Sequence, residues 1–317
     1  DPKFAQAADS QSKSLSSSAT NKFRIGAFPD NEIDWDSGTR SSNSPTLPEA
    51  FIALPATAYG KQYWAQTFLP SKYATIEDLN AAYGTSFTSF AGAESTSALN
   101  VASIPNDPAH PAIATDKYDF AEAIGDKYYS TCAAAMRLYD PNHLVFSARW
   151  ALWSTGFDKA FADQQACNAR YWKKAGQYCD IVAVNSYIDS NWLETAHQLY
   201  SRVFTAANKP IMITEWASLA NDTQFANNAG WVAYQRDRGE YYFNQMKNLM
   251  DFAFTEPGGA SVHPFLGGQW FQYYDESALG RPDGEKAQFG LLNVKDEPYL
   301  TALDVINTFN VQVYPYV

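Results

Sequence analysis

Basic residues are scarce in this chain. Lysine and arginine total 23 against 34 aspartates and glutamates, a formal net charge of -11. No Lys/Arg cluster stands out, and an acidic chain repels a phosphate backbone, so nucleic acid is excluded as a partner class. The balance also speaks mildly against a heavily sulfated polysaccharide; a neutral polymer fits better. Cysteine is rarer still, with three residues, Cys132, Cys167 and Cys179. Their number is odd and their spacing matches no metal or redox motif, so they are read as small buried hydrophobes. The four histidines are scattered, and no HExxH is present, which argues against a catalytic zinc. No apolar run approaches the ~20 residues that a membrane helix needs. The first residues, Asp1-Pro2-Lys3-Phe4, have neither a basic n-region nor an apolar h-region. The expectation is that a leader was removed, or that the gene starts further upstream.

What the chain does have is length and aromatic rings. Its 317 residues are 46% hydrophobic, enough for a sizeable core in one or two domains. It carries 9 Trp, 20 Tyr and 20 Phe. Such rings fill cores, and they also stack on the C–H faces of sugars, because the negative ring face attracts weakly positive C–H groups.

Along the chain, residues 1–21 are polar and Ser-rich and read as helix plus loop. Phe23–Phe28 is a short strand. Residues 36–48 read as a loop, 59–83 as helical with Trp64, Phe68, Ile76 and Leu79 inward, and 84–115 as a long irregular stretch. From Asp116 the pattern becomes regular. Phe120, Ile124, Tyr128, Cys132, Ala135 and Leu138 recur at helical spacing, and Asp140-Pro141-Asn142 ends that helix. Strands follow at 143–149, 180–185, 210–214 and 265–271, with helices at 164–177, 192–207, 231–254 and 297–309. Alternating strands and helices mean parallel βα units. Short apolar strands ending in polar residues suit a (β/α)8 barrel, whose chemistry lies at the strand C-termini. The polar and aromatic ends are Asn31-Glu32, Arg149, Asn185 with Tyr187, Glu215, and Trp270 with Gln272. The expected fold is therefore α/β, a (β/α)8 TIM barrel. An open doubly wound sheet lacks support, since no GxGxxG or P-loop follows a strand.

Retaining glycoside hydrolysis needs two carboxyl groups about 5–5.5 Å apart, one protonating the leaving oxygen and one attacking as a nucleophile. Two barrel strands can present such a pair at one mouth. Glu32 follows the first strand here and Glu215 the fourth.

These residues resemble the retaining (β/α)8 glycosidase clan, in which Asn-Glu after one strand and Glu three strands later form the catalytic pair. The finer resemblance is to family 50 glycoside hydrolases, the β-agarases. It is carried by Gly26-Ala27-Phe28-Pro29-Asp30-Asn31-Glu32-Ile33-Asp34-Trp35 and by Lys72 through Thr85, a helix some family 42 β-galactosidases share. Asp140-Pro141-Asn142-His143-Leu144 through Arg149, Tyr178-Cys179-Asp180-Ile181-Val182 with Asn185 and Tyr187, and Gln269 through Tyr273 with Gly280-Arg281 and Asp283-Gly284-Glu285 extend it. Single pieces are weak; the ordered combination, from Asp1 to about residue 309, is specific. The resemblance implies Glu32 as general acid/base, Glu215 as nucleophile, Asn31 on the sugar hydroxyl beside the scissile bond, Tyr187 orienting Glu215, and Trp270 as a sugar platform. Gln272, Arg149, Asn185, Asp283 and Glu285 are further polar substrate-binding candidates. No metal or organic cofactor is required by this chemistry. Two departures touch the subsites. Where the family usually has Glu-Phe-His, this chain has Glu215-Trp216-Ala217, and the His before the last-strand Trp is Gln269.

Five strands are read where a barrel needs eight. By the resemblance, residues 1–317 are the C-terminal part of a catalytic barrel, supplying about strands 4 to 8. Another polypeptide, a cleaved N-terminal part or a separate chain, would supply strands 1 to 3, since open sheet edges are a liability in solution. The implied activity is β-1,4 cleavage of agarose or neoagaro-oligosaccharides by a secreted or periplasmic enzyme. A β-galactosidase of the same clan and a non-catalytic galactan-binding partial barrel are the competing readings.

Overall fold

The computed structural model describes residues 1–33, 35, 45–90, 106–151, 162–187, 193–221, 232–256, 258–277, 279–282 and 284–313. Much of the loop read at 36–48, and residues 91–105 of the irregular stretch, lie outside these. The chain forms two compact units. One comprises Asp1–Ser147, Ser154–Asp180 and Thr205–Asn208; the other comprises Ala148–Trp153, Ile181–Phe204 and Lys209–Val317. No helix among the described residues is long and apolar enough to cross a membrane.

The first unit is mainly helical. Asp1 caps helix Pro2–Ser12 by accepting the Lys3 amide at 2.8 Å, and Pro2 sits in the first turn, where its missing N–H leaves no bond unmade. The Ser-rich continuation Lys13–Ser18 is a 3-10 turn. The helix read over 59–83 is broken into Tyr59–Tyr63, a π turn at Trp64–Phe68, Leu69–Lys72 and Ile76–Tyr83. The break lies at Thr75. Its hydroxyl accepts the Asp78 amide at 3.2 Å while the Asp78 carboxylate accepts the Thr75 amide at 3.0 Å, a capping box that starts a new helix. Gly84 ends that helix at φ 64°, a left-handed conformation that glycine adopts without steric penalty. Trp64, Phe68 and Leu79 are buried as read, with Ile52, Leu69, Tyr83, Ile113 and Phe120. Ile76 packs against this cluster from its edge.

The long helix runs from Ala112 to Tyr139. Its buried face is Phe120, Ala121, Gly125, Tyr129, Cys132, Ala133 and Met136, rotated from the stripe read in the sequence. Leu138 is 68% exposed. The rotation follows from the neighbour: Gly125 abuts Tyr171 of helix Ala162–Tyr178, and Tyr129 stacks on Trp35, so the face toward these partners is the apolar one. The unit also holds a pair of parallel strands, β1 (Gly26–Ala27) and β2 (Leu144–Val145).

The second unit is built on a parallel sheet. It contains β3 (Trp150–Ala151), β4 (Val182–Asn185), β5 (Ile211–Trp216), a short antiparallel hairpin of β6 (Phe254–Thr255) and β7 (Ser261–Val262), and β8 (Phe265–Trp270). The sheet order is β3-β4-β5-β8, every pair parallel. All residues of β4 are buried, as expected of an inner parallel strand covered on both faces. Helix Leu193–Ala207 covers the sheet through Leu199, Tyr200 and Val203, with the Tyr200 ring edge-on to Phe265 at 4.9 Å. Helices Gln235–Asp251 and Leu300–Gln312 pack closely because Gly239 has no side chain: a Cβ there would lie 2.6 Å from the Ala302 carbonyl. The strand read at 143–149 appears as β2, with β3 starting just past its end, and the other four strands stand where they were read. The hairpin β6–β7 was not read in the sequence. The fold is α/β, with the strand–helix alternation of a (β/α)8 barrel over five of its strand positions. All three cysteines are buried and free.

Charge is also buried in the first unit. Lys117 reaches Glu49 at 2.7 Å, and Asp116 accepts the Tyr73 and Tyr83 hydroxyls, each at 2.7 Å, and pairs with Lys72. Lys61 is 3% exposed and donates to the Ile52 carbonyl at 2.6 Å, near the C-terminus of helix Leu47–Ala53. Burial pushes its ammonium down to about 8 from 10.5. A lysine whose folded pKa is depressed penalises the fold below that value and releases the penalty as pH rises toward its unfolded value. The melting-temperature advantage of wild type over Lys61→Met should therefore grow between pH 8 and pH 10.5. A thermal-melt series across that window, with the difference flat, would show that Lys61 is not desolvated as described.

Candidate active site

The C-terminal end of β5 is irregular. Val184 pairs with Ile213 and Asn185 pairs with Glu215, so Thr214 is an extra residue on β5. A bulge of this kind bends a strand and re-aims the side chain that follows. Thr214 is 1% exposed, and its hydroxyl bonds Asn185 Oδ1 at 2.8 Å and the Val184 carbonyl at 3.2 Å, which fastens the bulge to β4. The Ser186 amide then donates to the Glu215 carbonyl at 2.8 Å.

The Glu215 carboxylate has a partner on each oxygen. Arg149 Nη2 donates to Oε1 at 2.6 Å, and also to the Thr214 carbonyl at 2.8 Å. The Tyr187 hydroxyl donates to Oε2 at 3.0 Å. The side chains of Arg149 and Glu215 are 20% and 13% exposed, so this charge-assisted contact is shielded from bulk water on most sides. The Tyr187 ring is held in turn by Phe271 and Phe289 at 6.4 and 6.2 Å between centroids. Together these contacts leave the carboxylate few ways to turn. A carboxylate paired with a guanidinium and oriented at the end of a parallel strand is able to act as a nucleophile.

Trp270, at the end of β8, joins the same structure. Its indole N–H donates to the Phe289 carbonyl at 2.8 Å, and its ring lies edge-on to Trp216 at 5.0 Å. Arg238, 1% exposed, stands 5.3 Å over the Trp270 ring and also donates to the Phe289 carbonyl, at 2.5 Å. The Phe289 carbonyl thus ties the aromatic ring to a buried cation. The Phe271–Gln272 peptide that follows β8 is cis. Gln272 is half-buried, and its backbone N–H donates to the Phe289 carbonyl at 3.4 Å. Asn185 is 2% exposed and engaged with Thr214, so it supports the bulge from within the sheet. Glu285 is paired with Arg281 in the segment after β8. Asp283 lies outside the described residues.

Glu32 belongs to the first unit, just beyond β1. It is half-buried and Asn31 is exposed. Glu32 has φ 51°, in the left-handed region that non-glycine residues seldom occupy. Asp30, two residues earlier, accepts a hydrogen bond from Tyr128 at 2.5 Å. Trp35, three residues later, is 6% exposed within an aromatic group of Tyr128, Tyr129 and Tyr171.

Of the residues singled out from sequence, the structure brings Arg149, Asn185, Tyr187 and Glu215 together, with Trp270 linked through Phe289. Thr214, Phe289 and Arg238 around Glu215 and Trp270 were missed, as were Asp30 and Tyr128 in the surroundings of Glu32. A β-branched residue just before a strand-end glutamate was the only trace of the bulge. Nothing in the sequence marks a carbonyl as a hub.

Known proteins resemble this chain in sequence and in fold. A glycoside hydrolase family 42 model, described as beta-galactosidase, matches residues 9–250. Beta-agarase B of Vibrio sp. (strain JT0107) is 26% identical over 323 residues, covering 99% of this chain and 30% of that protein. Beta-agarase A of the same organism is 27% identical over 309 residues, covering 92% of this chain and 27% of that protein. A solved exo-beta-agarase superposes with a TM-score of 0.80 at 27% identity, covering 100% of this chain and 39% of that one. The chain thus spans less than a third of the length of these curated relatives.

The pairing of Arg149 with Glu215 has a direct test in stability. Removing one partner strands the other, whereas replacing both removes the charge from each side. Arg149→Met should destabilise the chain by about 1–3 kcal/mol, the usual penalty of a stranded polar group. Adding Glu215→Gln to it should recover part of that loss. Urea denaturation of the two single variants and the double variant checks this, and strict additivity would show that the contact carries no coupling.

Proposed function

This chain belongs to the glycoside hydrolase family whose model is described as beta-galactosidase, and from that premise we propose that it is the C-terminal part of a retaining β-agarase barrel. The observation that carries the reading is the carboxylate of Glu215, re-aimed by a bulge at the end of a parallel strand and held on both oxygens by Arg149 and Tyr187. The agarase likenesses, and the Asn31-Glu32 segment, support the choice of chemistry.

In this mechanism Glu215 attacks the anomeric carbon of a galactose unit while Glu32 protonates the departing oxygen. A covalent galactosyl-enzyme forms. Glu32, now ionised, takes a proton from water, which displaces Glu215 and restores both groups, with configuration retained. Asn31 would hold the hydroxyl next to the scissile bond. Trp270 would offer a ring face to a sugar, while Gln272, Asp283 and Glu285 would contribute polar contacts further out. The substrate would be the β-1,4 bonds of agarose or neoagaro-oligosaccharides. An agarose-type polymer does not enter a cell, so the reading carries export to the periplasm or beyond.

The proposal includes a partner polypeptide supplying barrel strands 1 to 3. Its support is the state of the sheet edges. Among the described residues β1 pairs with β2 only and β8 with β5 only. Phe23 is 96% exposed and Ile25 62% exposed beside β1, and Leu266 on β8 is 56% exposed. Apolar side chains at an open parallel edge are what a further strand would cover.

A second reading, a β-galactosidase releasing single galactose units, has the description of the matched family in its favour. Mass spectrometry of products from neoagarohexaose decides between the two. Disaccharide and tetrasaccharide are expected; galactose alone would favour the second reading. Glu32→Gln should slow turnover by about 10²–10⁴-fold, the usual contribution of a general acid. An unchanged substrate after the chain has been supplied with a polypeptide of strands 1 to 3 would leave only galactan binding, without cleavage.

A further inference from the structure

We propose that Tyr128 is a positioning residue for Glu32, bonding Asp30 before it and packing on Trp35 after it; this rests on the reading of Glu32 as general acid. Glu32 stands at φ 51°, and a non-glycine residue keeps such a conformation only where its surroundings impose it. Tyr128 is placed to impose it from both sides. It projects from helix Ala112–Tyr139, the longest helix of the first unit. Its hydroxyl donates to Asp30 Oδ2 at 2.5 Å, before Glu32 in the chain. Its ring meets the edge of Trp35, after Glu32, with centroids 5.1 Å apart and planes at 83°.

Both attachments are firm. Burial, and then Asp30 itself, push the Tyr128 phenol well above its ordinary value, so it stays protonated and remains a donor throughout the working pH range. Trp35 is 6% exposed and is stacked on Tyr129 at 5.7 Å, so it cannot drift from the ring it touches. Phe4 stacks on the other side of Tyr128 at 5.8 Å. Glu32 thus stands in the chain between two anchored residues, Asp30 and Trp35. A general acid must stay within hydrogen-bond reach of the leaving oxygen, so small displacements of its backbone are felt in the chemical step.

Tyr128→Phe keeps the ring and removes only the hydroxyl, which separates the tether from the packing. General-acid assistance matters for a poor leaving group and little for an activated one, because an activated aryl oxide departs without a proton. In the active assembly, Tyr128→Phe should lower kcat/KM on neoagarohexaose by about tenfold or more, a loss of the size expected from a misplaced acid. On dinitrophenyl β-galactoside, kcat/KM should stay near wild type. Glu32→Gln serves as the reference and should show the same selectivity, more strongly. If Glu32→Gln is selective and Tyr128→Phe affects both substrates alike, or neither, the positioning role is overturned and the reading of Glu32 stands. If Glu32→Gln itself shows no selectivity, the acid assignment fails and the proposal with it. A second measurement needs no turnover. In the chain alone, Tyr128→Phe should speed amide exchange at residues 31–33 by about tenfold, as local opening becomes easier, with helix Ala112–Tyr139 unchanged. Unchanged exchange at 31–33 overturns the proposal.

Discussion

A carboxylate taken most of the way out of water has to be given partners by the fold, and the end of β5 is organised around that requirement. Desolvating an ionised carboxylate without compensation is prohibitive. Glu215 is 13% exposed, and Arg149 and Tyr187 take its two oxygens. Those two side chains come from different segments, after β2 and after β4 respectively. They converge only because the bulge at Thr214 turns Glu215 toward them. The bulge is stable in turn because the Thr214 hydroxyl is satisfied by Asn185 and Val184. Glu215, Arg149, Tyr187, Thr214 and Asn185 are thus linked through one run of hydrogen bonds that ties the site to the sheet beneath it.

Glu32 is held by a different device. It lies just beyond β1, and its backbone is left-handed. Here the restraint comes from side chains: a tyrosine hydroxyl on one flank and a buried tryptophan on the other. On the proposed function the two devices serve two tasks: the nucleophile is oriented by an ion pair at a strand end, and the acid is placed by contacts to the chain on either side of it.

The sequence made the frame legible because burial leaves a periodic trace. Runs such as Ile181–Asn185 and Pro210–Thr214 are apolar, short and bounded by helices, and their strands stand where they were read. The long helix was legible in extent but not in phase. Tyr128 and Tyr129 both fit helical spacing, and which one faces the core depends on Trp35 and Tyr171, far away in sequence. The break at Thr75 was written locally, as a Thr followed three residues later by Asp, yet a continuous apolar stripe masked it. In the site, residue types could be read but relations could not. Arg149 was one polar candidate among several until the fold set it 2.6 Å from Glu215. The bulge depends on the pairing register of two strands, and a single strand's sequence contains no register. Arg238 was not singled out, and it is among the most buried of the described side chains.

The two departures from the agarase pattern gain a physical meaning from the packing. Ala217, where the resembled family usually has histidine, is fully buried with Leu219, Ala287 and Phe289, and Tyr187, Trp270 and Phe271 border that group. An imidazole there would need the volume that Phe289 occupies. Phe289 is also the residue whose ring supports Tyr187 and whose carbonyl receives Trp270 and Arg238. The small residue at 217 and the tight seating of Tyr187 against Glu215 therefore belong to one arrangement: a polar donor has been exchanged for apolar support. Gln269, by contrast, is exposed on β8, where an amide can both donate and accept. On the proposed function, the carboxylate chemistry is kept, a polar donor is lost at the end of β5, and polar recognition on β8 is kept with an amide in place of an imidazole.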